Sequence, residues 1–254
     1  MRLFYALFLL ILFIASCQEE LAEPLRLGED QVYFPVELNQ KITYDVDSIV
    51  LFNTVRGVVY DTARSQVQEE LVEAFLGADG DTIYRGQRLW RRNSTDSWQP
   101  NQTYTVTKNA TRAQLTEDNL TFTKLVFPIR PGVSWDGNAA FNERREFPVG
   151  GEFVTIYEFW DYRYAAAPLD TVINGNTLTN TWLVEQADQD LLINLRRAYE
   201  RYAPGVGLVE QFIDARDTQC VSCCNRDTRI CSELPWNEKA EQGFIVHKRL
   251  REMR

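Results

Sequence analysis

The chain has 254 residues, of which 44% are hydrophobic and 25% charged, and these proportions exclude an intrinsically disordered protein. Its formal net charge of −9 argues against a nucleic acid or an anionic membrane face as a partner, because both require a basic surface. Since His247 is the single histidine, a histidine-rich metal site is excluded and a Ser-His-Asp triad would depend on this residue.

The N-terminus has the features of a secretory signal. Arg2 supplies a positive charge, and residues 4–14 form an apolar run that is too short to span a bilayer but typical of a signal peptide. Cys17 follows Ile14-Ala15-Ser16, and this stretch is similar to a bacterial lipobox, in which small residues precede an acylated cysteine. The sequence therefore predicts a signal peptide at residues 1–16 and a Cys17 that carries acyl chains such as palmitate and anchors the protein in a membrane.

An acidic stretch follows the predicted lipidation site. Gln18, Glu19 and Glu20 resemble the export signal next to the lipidated cysteine in surface-exposed lipoproteins of Bacteroidota. Residues 17–30 as a whole are polar and are interpreted as a flexible tether. We expect an outer-membrane location, with the cell surface favoured slightly over the periplasmic face.

Period-two alternation of apolar and polar residues predicts β-strands along the rest of the chain. These segments lie at residues 41–50, 81–90, 102–109, 119–127, 152–160, 177–185, 207–214 and 243–249. Residues 65–76 fit a helix or a strand, and we favour the strand; for residues 191–203 both alternatives stay open. The spacing, without βαβ alternation, predicts an all-β antiparallel curved sheet, barrel or sandwich with little helix beyond the signal peptide. No internal linker divides residues 31–254, which are expected to form a single domain.

Four longer segments carry a resemblance to a known group of proteins. They are VYFPVELNQKITYDVDSI (32–49), DNLTFTKLVFPIRPGVSWDGNAAFN (118–142), YERYAPGVGLVEQ (199–211) and PWNEKAEQGFIVHKRL (235–250). In these segments the chain resembles a group of uncharacterised Bacteroidota lipoproteins, and the resemblance covers most of the mature chain. It implies a β-rich outer-membrane lipoprotein and supplies no active-site residues.

The segment after Pro131-Gly132 has two interpretations. In the structural one, the glycines and the proline shape turns while Trp135 anchors the loop in the core. In the functional one, Trp135, Asp136 and Asn138 form a sugar-binding edge, with an aromatic ring beside hydrogen-bonding groups. We favour the structural interpretation.

Asp-Ser/Thr-apolar tripeptides resemble the sites at which Bacteroidota O-glycosylate exported proteins. The candidate acceptors are Ser48, Thr62, Thr82 and Thr171. Such tripeptides also arise by chance in β-rich sequences.

Four cysteines, Cys220, Cys223, Cys224 and Cys231, lie within the loop 220–231. With Cys17 lipidated, an even number remains in an oxidising compartment, so we predict two disulfides rather than a metal site or free thiols. The spacing departs from the two C-x₂-C pairs of a zinc ribbon. A bridge between the neighbours Cys223 and Cys224 is disfavoured, which leaves Cys220–Cys223 with Cys224–Cys231, or Cys220–Cys224 with Cys223–Cys231.

The sequence contains no catalytic, phosphate-binding or calcium-binding motif, and we predict no catalytic residue, cofactor or metal. The expected function is a non-enzymatic interaction or assembly component of the cell envelope, with envelope proteins or glycans as partners. One alternative is a carrier that holds an apolar or glycan ligand in its curved sheet, which a deep apolar cavity would favour. Another is a carboxylate-dependent hydrolase, which two facing buried acids in a cleft would favour.

Overall fold

A computed structural model describes residues 28–254. The predicted signal peptide, the lipidation site Cys17, the export signal at residues 18–20 and the tether as far as residue 27 lie outside the described residues. Within the described part, no helix is long and apolar enough to cross a membrane. The end of the predicted tether is folded, because a 3₁₀ helix covers Glu29–Tyr33 and the Asp30 carboxylate accepts a 2.8 Å hydrogen bond from the backbone N–H of Ile129. The folded unit therefore begins before residue 31.

Antiparallel strands make up most of the described chain, as the all-β prediction requires. The strands are β1 (Lys41–Thr54), β2 (Gly57–Leu76), β3 (Thr82–Arg91), β4 (Gln99–Lys108), β5 (Arg112–Glu117), β6 (Leu120–Val126), β7 (Ser134–Trp135), β8 (Phe147–Val149), β9 (Glu152–Val154), β10 (Tyr162–Tyr164), β11 (Leu169–Ile173), β12 (Asn176–Asp190), β13 (Asn194–Ala203), β14 (Gly207–Asp217) and β15 (Gln242–Met253). Two short helices, α1 (Thr228–Glu233) and α2 (Trp236–Lys239), lie between β14 and β15. The prediction of a single all-β domain with little helix is confirmed.

Thirteen strands form one sheet in the order β6-β5-β4-β3-β2-β1-β15-β14-β13-β12-β10-β7, with β11 paired to β12, while β8 and β9 form a separate hairpin. The sheet curves until its two ends meet. The backbone N–H of Thr123 in β6 donates to the carbonyl of Gly137, and the indole N–H of Trp135 in β7 donates to the carbonyl of Thr123, both over 2.8 Å. The result is a nearly closed, barrel-like sheet with an inner and an outer face.

Side-chain alternation sorts the residues between the two faces. In β1, Tyr44 and Val46 face the interior, while Asp45 and Asp47 lie on the outside. The ambiguous segment 65–76 is part of β2, so the preference for a strand is confirmed. Residues 194–203 of the second ambiguous segment form β13.

The predicted strand at residues 152–160 is wrong beyond Val154. The chain turns there, with Phe159 in the left-handed region at φ 70° and the indole N–H of Trp160 donating to the carbonyl of Ile156. Tyr157 and Trp160 instead pack in an aromatic cluster, in which the Tyr157 ring contacts the rings of Trp160 and Phe122 at centroid distances of 5.1 and 5.2 Å. Tertiary aromatic packing has overridden the local strand pattern.

The cysteine loop forms two disulfides, but neither predicted pairing is correct. Cys220 bonds to Cys231, and the neighbours Cys223 and Cys224 bond to each other. Helix α1, capped by the Asp227 side chain, carries Cys231 back over Cys220, and this leaves the two neighbours to pair in the turn between them. The sulfur atoms of Cys223, Cys224 and Cys231 lie within 4.8 Å of one another.

The two bridges are expected to differ in their contribution to stability. We expect Cys220→Ser with Cys231→Ser to lower the free energy of unfolding by roughly 3 kcal/mol, because this bridge closes a chain loop and its cysteines are buried. Cys223→Ser with Cys224→Ser is the matched control. It is expected to have little effect on the free energy of unfolding, because the bridge that it removes joins neighbouring residues and closes no longer loop of the chain. Urea unfolding followed by tryptophan fluorescence measures both, and non-reducing peptide mapping that found a different pairing would contradict the assignment.

Candidate ligand-binding cavity

The curved sheet has a cavity of about 270 Å³ on its inner face, which is partly open to solvent. Strands β1–β5, β14 and β15 contribute most of its lining. The apolar part of the lining comprises Phe34, Pro35, Ile42, Val46, Val67, Leu71, Val106, Leu115, Val206, Leu208 and Val246. Although they point inward, most of these side chains are only half-buried, because they face the cavity rather than each other.

A network of charged side chains lies on one wall of the cavity. The Glu69 carboxylate accepts from the Lys248 ammonium at 2.6 Å and from the Arg88 guanidinium at 2.8 Å. Arg88 also donates to Glu117 at 2.8 Å. Strand register positions the Glu69–Arg88 pair, since Glu69 of β2 lies directly opposite Arg88 of β3.

The network fixes the charge state of Glu69. Burial alone would raise the pKa of this carboxyl, but the nearby Lys248 and Arg88 outweigh it and lower the pKa from 4.5 to about 2. Burial lowers the pKa of Lys248, whereas Glu69 and Glu117 raise the pKa of Arg88 despite its burial. Glu69 is therefore a carboxylate at neutral pH.

A second polar cluster surrounds Glu200 on β13. Its carboxylate accepts from the Lys124 ammonium, from the Gln211 amide at 2.7 Å and from the Tyr202 hydroxyl at 2.6 Å. Glu200 is fully buried, and burial followed by its negative charge raises the pKa of Tyr202 well above the ordinary range. These hydrogen bonds compensate for removing the carboxylate from water.

Two tyrosine rings cover the cations of the network. The Lys248 ammonium lies 4.1 Å from the centre of the Tyr44 ring, and the Arg88 guanidinium lies 5.4 Å from that of Tyr104. Gly86 permits the position of Tyr104, because a Cβ atom at this glycine would lie 2.2 Å from the Tyr104 ring. Burial raises the pKa of both phenols.

The predicted sugar-binding residues lie together but within a packed loop. Asn138 is fully buried and accepts a 3.1 Å hydrogen bond from the Tyr162 hydroxyl, while the Trp135 ring packs against Tyr162 and Tyr164. The Asp136 carboxylate accepts from the backbone N–H of Asn138 at 2.9 Å. This geometry supports the structural interpretation, because the buried amide and the covered ring form no open edge for a sugar.

The O-glycosylation candidates all lie in strands. Thr62 in β2 and Thr82 in β3 are exposed, whereas Ser48 in β1 and Thr171 in β11 are half-buried. They stay predictions, and the exposed pair is the more accessible to a modifying enzyme.

The sequence analysis named none of the charged residues of the cavity, although the sequence contains one signal for them. Strand alternation requires apolar residues at inward positions, yet two of these positions hold a charge. Glu69 lies between Val67 and Leu71, and Lys248 lies between Val246 and Leu250. A charge at such a position indicates a buried ion pair or a polar site.

Comparison with known proteins gives little further information. No protein-family model matches the chain, and no curated protein matches it. A solved structure from Bacteroides fragilis, described as a "putative exported protein with YmcC-like fold", shares 8% identity at a TM-score of 0.43, over 87% of this chain and 98% of that one. A "putative lipoprotein" from Parabacteroides distasonis shares 10% identity at a TM-score of 0.41, over 87% and 98% of the two chains. Similarity at this level assigns the chain to no family and carries no functional argument.

Proposed function

We propose that the protein is a lipid-anchored lipoprotein of the cell envelope that binds a small amphipathic ligand, without catalysis, inside its curved sheet. The observation that carries this proposal is the cavity of about 270 Å³, which has apolar walls and one charged wall. The lipobox-like sequence before Cys17 supports the anchor and the envelope location, with the outer membrane as the expected site.

The cavity limits the size of the ligand. Its volume is close to the lower end of small-molecule sites, which begin at about 300 Å³. A short acyl chain or a similar apolar group fits these dimensions better than a complete phospholipid. The ligand is therefore small or inserts only its apolar portion.

The charge balance of the inner ion network indicates the polar end of the ligand. This network has three carboxylates and three cations, and each cation is paired; they are Glu69, Glu117, Glu200, Arg88, Lys124 and Lys248. Two more carboxylates line the cavity outside the network: Glu37 is exposed, and Glu70 accepts from the Gln87 amide at 3.1 Å. A charged head group would leave one buried charge in excess, which is costly. An uncharged group with hydroxyls or amides can instead accept from the ammonium groups and donate to the carboxylates.

The electrostatics favour binding over hydrolysis. Glu69 and Glu117 flank the Arg88 guanidinium, an arrangement that places two partly buried acids in one cavity. A glycosidase acid, however, requires a raised pKa so that it is protonated at neutral pH, whereas the pKa of Glu69 is lowered to about 2.

Filling the cavity is expected to weaken ligand binding. We expect the full chain in detergent to bind the fluorescent apolar probe N-phenyl-1-naphthylamine, and Val246→Trp to weaken that binding by about tenfold or more, because the indole occupies the cavity. Probe displacement should be strongest with uncharged mono-octanoylglycerol and weaker with octanoate or octylamine. Titration of probe fluorescence measures all of these.

The matched control is Val59→Trp, in which the same change is made on β2 at an exposed side chain. This variant should bind the probe like the parent chain. Equal probe binding by Val246→Trp and the parent chain would contradict the proposal, as would probe displacement that was strongest with a charged competitor.

A further inference from the structure

A polar groove of about 460 Å³ lies on the outer face of the sheet, opposite the cavity. Strands β1, β2 and β15 form its floor, and residues 92–94, which follow β3, form one wall. Its charged lining consists of four arginines and two aspartates: Arg64, Arg92, Arg249, Arg251, Asp45 and Asp47. The groove is basic, although the chain carries a net charge of −9.

The two aspartates are already fully engaged. Asp45 accepts from the Gln66 amide at 2.9 Å and from Arg251 at 3.2 Å. Asp47 is shared between Arg64 at 3.2 Å and Arg249. Two carboxylates cannot neutralise four guanidinium groups, so an excess of two positive charges remains in the groove.

Two carboxylates border the groove without lining it, and both have other partners. Glu210, opposite Arg249 in the strand register, binds His247 at 2.8 Å and Arg201 at 3.3 Å. Asp96 accepts from the backbone N–H of Asn93 at 2.9 Å. Neither carboxylate is available to balance the excess charge.

Two of the arginines retain unused donors. Among the described residues, the buried Nε atom of Arg249 has no hydrogen-bond partner, which is costly. Arg92 is exposed and, within residues 28–254, has no ion-pair or hydrogen-bond partner. The Arg92 guanidinium is therefore free to bind an oxyanion, and its planar donor pair matches a carboxylate. Arg249 already donates to Asp47 and can add only its remaining donors.

From this geometry we infer that the groove binds a short acidic saccharide through its carboxylate groups. Arg249 and Arg92 hold the carboxylates, and the neutral side chains of Ser65, Asn93 and Ser94 in the lining are placed to contact sugar hydroxyls. The acidic surface of the rest of the chain disfavours a long polyanion such as a nucleic acid. This site is separate from the inner cavity, so the two proposals can fail independently.

Calorimetric titration of the full chain in detergent tests the inference. The probes are trigalacturonic acid, its uncharged methyl ester and inorganic phosphate. We expect the acid to bind, the ester to bind at least about tenfold more weakly, and phosphate alone to bind more weakly than the acid, because it makes no sugar contacts. Binding of the acid should also weaken when salt rises from about 50 to 200 mM.

Arg249→Gln is expected to weaken binding of the acid by about tenfold, and the exposed Arg92→Gln by roughly threefold. Arg163→Gln is the matched control, because Arg163 is an exposed arginine paired with Glu185 outside the groove; binding should stay within about twofold. The inference is overturned if the acid does not bind, if the ester or phosphate binds as tightly, or if neither Arg92→Gln nor Arg249→Gln weakens binding more than the control does.

Discussion

Glu69→Gln is expected to lower the free energy of unfolding by about 3 kcal/mol at neutral pH. The change removes the carboxylate that both Lys248 and Arg88 contact, so that the buried ammonium loses its ion-pair partner. Glu73→Gln is the matched control on the same strand, because the Glu73–Arg85 pair is about half exposed and should contribute less than about 1 kcal/mol. Urea unfolding at pH 7 measures both.

The pH dependence of unfolding distinguishes stabilisation by the Glu69 charge from stabilisation by side-chain packing. Because the pKa of Glu69 is lowered from 4.5 to about 2 in the folded chain, its stabilisation is fully present above about pH 4.5 and is lost as the pH falls towards 2. The Gln variant lacks this ionisation, so its stability should fall less between pH 5 and pH 2.5 than that of the parent chain. Equal acid sensitivity of the two chains would show that Glu69 does not carry the effect.

The sequence predicted most of the sheet because alternation reports which side chains share a face. It succeeded where strands are long, as in β2, whose residues 65–76 alternate despite a composition that also suits a helix. It failed at residues 155–160, where the Tyr157 ring packs against Phe122 and Phe141, which are distant in the chain. Periodicity contains no information on such tertiary contacts.

The sequence predicted a ligand-binding cavity only as an alternative to a non-enzymatic interaction component, because periodicity does not report how the two sides of a sheet pack. An alternating pattern identifies an apolar inner face but does not say whether opposite walls meet or leave space between them. The ion network requires β2, β3 and β15 to bring Glu69, Arg88 and Lys248 together, and Lys248 is separated from Glu69 by 179 residues in the chain. That pairing follows from strand register, which long-range packing sets. The disulfide pairing failed similarly, because α1 determines which cysteine lies over Cys220.

Arg196→Leu is expected to lower the free energy of unfolding by about 3–5 kcal/mol. The Arg196 side chain is fully buried and forms two hydrogen bonds with the Asp217 carboxylate, at 2.7 and 3.1 Å. It also donates to the carbonyl of Thr155 at 2.9 Å, which ties the turn after β9 to the sheet. Leucine preserves apolar volume but leaves the Asp217 carboxylate and the Thr155 carbonyl without this donor.

The next residue provides the control for this prediction. Arg197 is also on β13 but is half-exposed, and it pairs with Asp190 at 2.8 Å on the surface. Arg197→Leu should therefore cost less than about 1 kcal/mol. If both variants unfold at the same urea concentration, the buried arginine is not essential to this region. If adding Asp217→Asn to Arg196→Leu recovers part of the loss, the cost lies in the unpaired carboxylate and not in the lost contact with the turn.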